Sequence, residues 1–147
     1  MQLPVSSEMN TYSYEDIHIG DFVQFDVRLT DGLLQSFAQL SGDYNPLHLD
    51  DGYALTSVFK KRVVYGMLLG SLFSRLVGMH LPGKYCLYLS QILSFKKTVF
   101  IDDAVTVRGE IISKKNHVLT IKTQILKGSV VAVEGEARVM CLRVKHG

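Results

Sequence analysis

The sequence contains little cysteine, little proline and no long uncharged apolar run, and it has no lysine or arginine before Arg28. Its two cysteines, Cys86 and Cys141, lie in separate apolar runs and form no CxxC motif, which favours buried thiols over a disulfide or a zinc site. The longest uncharged stretch of the apolar middle, residues 63–74, is shorter than the roughly 18–20 residues that a membrane-spanning helix needs. An N-terminus without basic residues is atypical of secretory and transit peptides, so we expect a cytoplasmic protein without membrane insertion.

The composition is that of one domain with a single hydrophobic core. The chain has 147 residues, of which 47% are hydrophobic, and it contains no repeat or low-complexity linker. We expect a loosely ordered, polar N-terminal lead-in at residues 1–13 and a folded domain at residues 14–147. The net charge of +2 is too balanced to require a nucleic acid or an anionic membrane as a partner.

Apolar periodicity predicts a strand, short helical segments and one long buried helix in the first half of the chain. We expect these elements at residues 22–29 (strand), 30–41 (helix capped by Thr30), 43–51 (polar loop), 52–59 (short helical segment) and 66–81 (long helix). Apolar side chains cover most of the circumference of the helix at 66–81, so we expect this helix to be buried on several sides.

Apolar and polar residues alternate with a period of two in the second half, which predicts a half-buried sheet. We expect four strands, at 86–97, 104–113, 117–126 and 130–144, with hairpin turns at 114–116 and 127–129. The helix at 66–81 is the only long apolar element that could cover this sheet. An α+β domain in which an antiparallel sheet wraps a central helix resembles the hotdog fold. Because such a sheet has an exposed edge that a second copy would cover, we expect a homodimer.

The densest polar cluster, residues 41–51, contains an acid and an imidazole five positions apart. Asp43 and His48 could converge on one water, the carboxylate accepting a proton while the imidazole holds or delivers a second one, as addition or elimination requires. Alternatively, Asp43 and Asn45 cap the loop and His48 is a surface residue. A calcium site of the EF-hand type is disfavoured because the cluster lacks that motif's glycine and glutamate at the required positions.

A second candidate element is Tyr65-Gly66-Met67, at the expected start of the long helix. Backbone N–H groups at a helix N-terminus lack helical partners, and the helix dipole is positive there. Gly66 would let a ligand approach this backbone, so that its N–H could stabilise the developing negative charge on a carbonyl oxygen. Alternatively, Gly66 only permits close packing of the helix on the sheet.

These stretches resemble the MaoC-like (R)-specific enoyl-CoA hydratases, over nearly the whole chain from about Asp21. The residues that carry the resemblance are SGDYNPLHLD at 41–50, GMLLGSLFS at 66–74, LPG at 81–83, YLSQ at 88–91 and Phe95. The resemblance implies syn addition of water to a trans-2-enoyl thioester, giving a (3R)-3-hydroxyacyl thioester, or the reverse dehydration. It also implies coenzyme A as part of the substrate and no metal or other cofactor.

The same resemblance implies roles for individual residues. Asp43 and His48 would be catalytic, and the Gly66 N–H would form the oxyanion hole. Substrate-positioning roles would fall to Asn45, Tyr65, Met67 and Ser74. The family usually has His-Gly-Met where this chain has Tyr65-Gly66-Met67, and this departure bears on substrate preference.

Two other functions and two substrate carriers remain open on the sequence. A hotdog thioesterase commonly uses a carboxylate on or near the central helix, but residues 66–81 contain no Asp or Glu. A noncatalytic acyl-thioester-binding or scaffold protein could retain the same fold. The thioester could be carried by coenzyme A or by an acyl carrier protein, whose negative charges basic side chains could meet. These basic residues are Lys60, Lys61, Arg62, Lys84, Lys96 and Lys97.

Overall fold

The computed structural model describes residues 1–143, which form five strands, four α-helices and a π-helical turn. The strands are β1 (Phe22–Arg28), β2 (Cys86–Phe95), β3 (Ala104–Lys115), β4 (Val118–Lys127) and β5 (Val130–Cys141). The helices are α1 (Asp31–Ser41), α2 (Pro46–Leu49), α3 (Asp51–Thr56) and α4 (Gly66–Arg75), and the π-helical turn Leu76–His80 continues α4. None of the helices in this range is long and apolar enough to cross a membrane.

All five strands belong to one antiparallel sheet with the order β1-β3-β4-β5-β2. The connection from β1 to β3 therefore spans the helices and β2, and it leaves β2 at one edge of the sheet. Leu69 and Phe73 of α4 are buried, as are Val107, Ile121 and Val139 of the sheet. The α+β fold expected from the sequence, with a sheet covering a central helix, is confirmed.

The structure moves several expected boundaries. Thr30 caps α1 as expected, because its Oγ1 accepts a hydrogen bond from the Leu33 N–H. Within the expected polar loop lies α2, and the long helix changes to π geometry after Arg75. The turn after β3 is Asn116-His117, both with positive φ, as in a two-residue hairpin, rather than residues 114–116. The expected end of the last strand, at residue 144, lies outside the described residues.

The lead-in at residues 1–13 has neither a helix nor a named strand, but it is tied to the domain by hydrogen bonds and burial. Leu3 is buried, and its N–H donates to the Phe22 carbonyl at 2.8 Å. Asn10 donates through its backbone N–H to Met79 and through its side chain to the His80 carbonyl. These contacts join the lead-in to residues far along the chain, which composition alone does not reveal.

The two cysteines, 55 positions apart in the sequence, face each other as register partners on β2 and β5. Both are free thiols in this structure, with Cys141 buried and Cys86 half-buried. Burial raises the pKa of Cys86 and raises that of Cys141 to about 11. At neutral pH both therefore remain protonated, which agrees with the buried thiols expected from the sequence.

His80 ends the π-helical turn and is almost fully buried, beside the Phe25 ring. Neither of its ring nitrogens has a hydrogen-bond partner among residues 1–143. Burial, reinforced by the charge of Arg75, lowers the pKa of His80 below its usual 6.5. The folded state therefore disfavours protonation of His80, whereas the unfolded chain binds the proton readily.

We expect the free energy of unfolding to fall as the pH drops below about 6.5, because the unfolded state then binds more protons than the folded state. His80→Leu should flatten this dependence and raise stability at pH 5.5, since it removes two unpaired buried nitrogens. Urea unfolding of the wild type and of His80→Leu at pH 7.5 and 5.5 measures the change in stability with pH. His18→Gln, at an exposed histidine, is the control. An unchanged slope in His80→Leu would show that other groups cause the acid sensitivity.

Candidate active site

The polar loop that follows α1 is ordered by its own side chains. Gly42 ends α1 in the left-handed conformation, and the Ser41 hydroxyl then accepts a hydrogen bond from the Asp43 N–H at 3.1 Å. Asp43 Oδ1 accepts from the Asn45 N–H at 3.0 Å, and Asn45 Oδ1 caps α2 by accepting from the Leu47 N–H at 3.0 Å. These turns fix the Asp43 carboxylate just before the short helix that carries His48.

His48 is half-buried on α2, and its ring is held from two sides. Its Nδ1 lies 2.6 Å from the Val63 carbonyl oxygen. Because a carbonyl only accepts hydrogen bonds, Nδ1 carries a proton, which leaves Nε2 as the nitrogen that faces away from this bond. The imidazole also stacks on the Tyr65 ring, with centroids 3.9 Å apart. The His48 ring is therefore held in one orientation by a hydrogen bond and a stacking contact.

Tyr65 is buried next to the loop and joins its two ends. Its hydroxyl donates to the Asp43 carbonyl at 2.6 Å, while its ring packs between those of His48 and Phe37. Burial, followed by the charge of Asp43, raises the pKa of Tyr65, so the hydroxyl remains a donor at neutral pH. Tyr65 thus contacts the loop backbone through its hydroxyl and the rings of His48 and Phe37 through its own ring.

Two cavities meet at this site. One, of about 300 Å³, is lined by Asp43 and His48 together with Phe37, Ser41, Tyr65, Gly66 and Met67. The other, of about 420 Å³, shares His48, Gly66 and Met67 and extends to residues 95–99, from the last residue of β2 onward. Such volumes are in the range of small-molecule sites. The fold therefore brings Asp43, His48 and Gly66 to one opening, with space on both sides.

Gly66 begins α4, where the Tyr65 side chain makes no capping hydrogen bond. The first N–H groups of α4 thus receive no hydrogen bond from the Tyr65 side chain, and Gly66 lines both cavities. A Cβ atom added at Gly66 would lie 2.9 Å from the Phe95 ring. The structure is therefore compatible with both roles considered for Gly66: the absent side chain leaves the backbone accessible from the cavities, and it also permits close packing on β2.

Of the other residues expected to position the substrate, only Met67 lines the two cavities, whereas Asn45 and Ser74 do not. Met67 is exposed and lines both cavities. Asn45 lines neither cavity and caps α2, the helix that carries His48, so its substrate-positioning role stays a prediction. Ser74 is exposed, two turns farther along α4, and lines neither of these two cavities. Its role stays a prediction.

The structure separates the basic residues into different environments. Lys96 and Lys97 line the 420 Å³ cavity, and Lys96 lies 3.7 Å from Glu134. Arg62, by contrast, is buried, so the expectation that it could meet a carrier's negative charges is wrong. Its side chain is directed inward because it bonds the His48 carbonyl and the Asp31 carboxylate.

Sequence reasoning assigned no role in the site to three further residues that the structure places there. Phe37 and Ser41 line the smaller cavity, and the Val63 carbonyl sets the tautomer of His48. Of these, only Ser41 had a signal in the sequence, since it is the first residue of the motif at 41–50. Within residues 1–143 no group of three or more His, Cys, Asp or Glu side chains is arranged to hold a metal ion.

The sequence and the fold were compared with those of known proteins. A family profile described as "MaoC like domain" matches residues 18–133. The chain is 42% identical over 128 residues to an (R)-specific enoyl-CoA hydratase of Aeromonas caviae, covering 85% of this chain and 96% of that protein. It is 36% identical over 139 residues to the (R)-specific enoyl-CoA hydratase of Rhodospirillum rubrum, covering 92% and 95%. The unliganded R-hydratase PhaJ1 of Pseudomonas aeruginosa superposes with a TM-score of 0.87 at 34% identity, covering 90% of this chain and 86% of that one.

Proposed function

Because this chain belongs to the MaoC-like domain family, we propose that it hydrates trans-2-enoyl-CoA to (3R)-3-hydroxyacyl-CoA, or catalyses the reverse dehydration, through Asp43 and His48. It is a hydro-lyase with the hotdog fold. The observation that supports the assignment of the dyad is that both side chains line one cavity beside the N-terminus of α4.

The hydrogen-bonding state of the two groups suits the activation of a water. With its Nδ1–H bonded to Val63, the His48 ring presents Nε2 to the water, and in this proposal Nε2 accepts one of the water's hydrogen bonds. Asp43 Oδ1 is occupied by the Asn45 N–H, while Oδ2 receives no hydrogen bond from the described residues. A water that donates one O–H to His48 Nε2 and the other to Asp43 is oriented with its lone pair toward the substrate.

In the reaction, the water oxygen bonds to C3 of the enoyl thioester as Asp43 accepts one of its protons. The electron pair of the double bond moves toward the thioester carbonyl and gives an enolate-like oxygen, which accepts a hydrogen bond from the Gly66 N–H. The protonated Asp43 then delivers its proton to C2 from the same face. One water is consumed and no redox step occurs, so the two groups and the N–H account for the chemistry.

Coenzyme A is the handle of the proposed substrate. The 420 Å³ cavity leads from His48 and Gly66 to Lys96 and Lys97, whose ammonium groups suit the phosphates of coenzyme A. The Met67 side chain at the meeting point of the cavities would then contact the acyl thioester. Lys96 and Lys97 would also attract the negative charges of an acyl carrier protein, so the activity is assayed with thioesters of both carriers.

The proposed activity is tested by the ultraviolet absorbance of the conjugated thioester. Purified protein mixed with crotonyl-CoA, and with a longer trans-2-enoyl-CoA, should remove this absorbance and give the (3R) product by chiral chromatography. The corresponding acyl-carrier-protein thioester tests the other carrier. If the absorbance persists with all three substrates, the assignment as a hydratase is wrong for this chain.

We also propose that two copies associate through β2. This strand is at the edge of the sheet, and large apolar side chains along it are exposed at Leu87, Leu89, Ile92 and Phe95. Free backbone groups and apolar side chains on one edge favour pairing with a second chain. The exposed Met67 on neighbouring α4 would extend the covered surface.

Sedimentation equilibrium should give about twice the 16.5 kDa mass of one chain. Leu89→Lys should shift the equilibrium toward the monomer, because association would bury a charge on the edge strand. Leu40→Lys, on the exposed face of α1, is the matched control and should leave the mass unchanged. A monomeric wild type, or a Leu89→Lys variant with an undiminished association constant, would contradict association through β2.

A further inference from the structure

Arg62, in the segment between α3 and α4, is an almost completely buried cation that joins two elements of the site. Its Nε donates to the His48 carbonyl at 2.7 Å, and its Nη2 donates to Asp31 Oδ1 at 2.5 Å. A buried guanidinium is costly unless it is paired and hydrogen-bonded, so these contacts define its position. Asp31, more than half exposed, lies in the first turn of α1.

Residues 62–65, which we call the brace, run along residues 43–48, the catalytic loop that carries Asp43 and His48, and form several hydrogen bonds with it. The Val63 carbonyl accepts from His48 Nδ1, and the Val63 N–H donates to the Leu47 carbonyl at 3.2 Å. The Tyr65 hydroxyl reaches the Asp43 carbonyl. The two hydrogen bonds of Arg62, one to the His48 carbonyl and one to Asp31 of α1, connect the catalytic loop to α1. The helix α2 itself has only four residues and therefore depends on outside contacts for its orientation.

We propose that Arg62 is a positioning residue for the hydration reaction, which holds His48 through its backbone carbonyl, and that Asp31 holds Arg62 in place. This inference rests on the proposed function. Arg62 lines neither cavity of the site, so it acts through His48 and not on the substrate. Loss of its bond would let α2 rotate, and the direction of His48 Nε2 toward the water would no longer be defined.

Steady-state kinetics of Arg62→Met with crotonyl-CoA should show kcat reduced about tenfold, with KM changed less than about twofold, because the group orients the dyad without touching the substrate. Arg62→Lys, which keeps the charge, should recover part of the loss. Asp31→Asn should lower kcat less, and should have no further effect when combined with Arg62→Met. Arg28→Met, at an exposed arginine 4.0 Å from Asp102, is the matched control.

A second substrate separates positioning from binding. Crotonyl-N-acetylcysteamine lacks the nucleotide of coenzyme A, so a positioning role predicts the same fold loss for both thioesters. A loss confined to the coenzyme A thioester would overturn the proposal, because Arg62 would then bind the carrier. A lower Tm with unchanged kcat would overturn it as well. Arg62→Met is expected to fold, since Met keeps the apolar part of the side chain and exposed Asp31 becomes hydrated.

Nitrogen NMR of the imidazole tests the same role without turnover. In the wild type, His48 should show the Nδ1–H tautomer, with the signal assigned by its loss in His48→Gln. In Arg62→Met the two ring nitrogens should move toward averaged shifts, because the Val63 bond is no longer enforced. An unchanged spectrum and unchanged kcat would refute positioning by Arg62. A wild type that hydrates no enoyl thioester would instead refute the proposed function, whatever the spectra show.

Discussion

Asp43→Asn and His48→Gln should each lower kcat/KM for crotonyl-CoA about a thousandfold, within the 10²–10⁴-fold range of general acid–base catalysis. The amide introduced by Asp43→Asn cannot take the proton of the water, and the side chain introduced by His48→Gln has no ring nitrogen held by the Val63 carbonyl. Because the two groups act on one water, the double variant should lose little more than either single variant. Initial rates of absorbance loss measure all three.

The structure also predicts that these variants keep their stability. The amide of Asp43→Asn retains the Oδ1 that accepts from the Asn45 N–H, and His48 is only half-buried. Tm should therefore stay within about 2 °C of the wild type, as is usual for substitutions outside the core. His18→Gln, at an exposed histidine, controls for the substitution itself. Wild-type turnover in both variants would refute the dyad.

Gly135→Ala should lower the free energy of unfolding by about 3 kcal/mol, the upper end of the usual cost of overpacking. A Cβ atom at Gly135 on β5 would lie 1.7 Å from the Ile92 carbonyl oxygen of β2. A backbone atom cannot be moved aside by a rotamer change, so the two strands must separate. This displacement would also reach the site, because Phe95 at the end of β2 packs against Gly66.

The matched control for this prediction is Gly78→Ala, in the π-helical turn, where an added Cβ would meet nothing within 4 Å. Ala should leave stability unchanged there or raise it by up to about 1 kcal/mol through its better helix propensity. Denaturant unfolding followed by circular dichroism compares both variants with the wild type. Equal stabilities of the two variants would show that β2 can shift without cost.

Local sequence patterns were sufficient for the elements whose cause is itself local. The Thr30 side chain caps α1, Gly42 ends it, and the alternation of apolar residues predicted all four strands of the second half. The family resemblance was sufficient for the function, which the relatives support. It also indicated Asp43 and His48, and the structure places both at one cavity.

Contacts between distant residues decided the rest. Arg62 belongs to a run of three basic residues that is typical of a surface, yet it is buried because Asp31 and the His48 carbonyl meet there only in the fold. Cys86 and Cys141 become neighbours only because β2 pairs with β5. These hydrogen bonds and this strand register join residues that are far apart in the sequence, and local periodicity contains no information about which distant residues meet. The chain's local chemistry thus determined which groups could react, whereas tertiary packing decided which nitrogen of His48 is free to accept a proton and what holds the ring there.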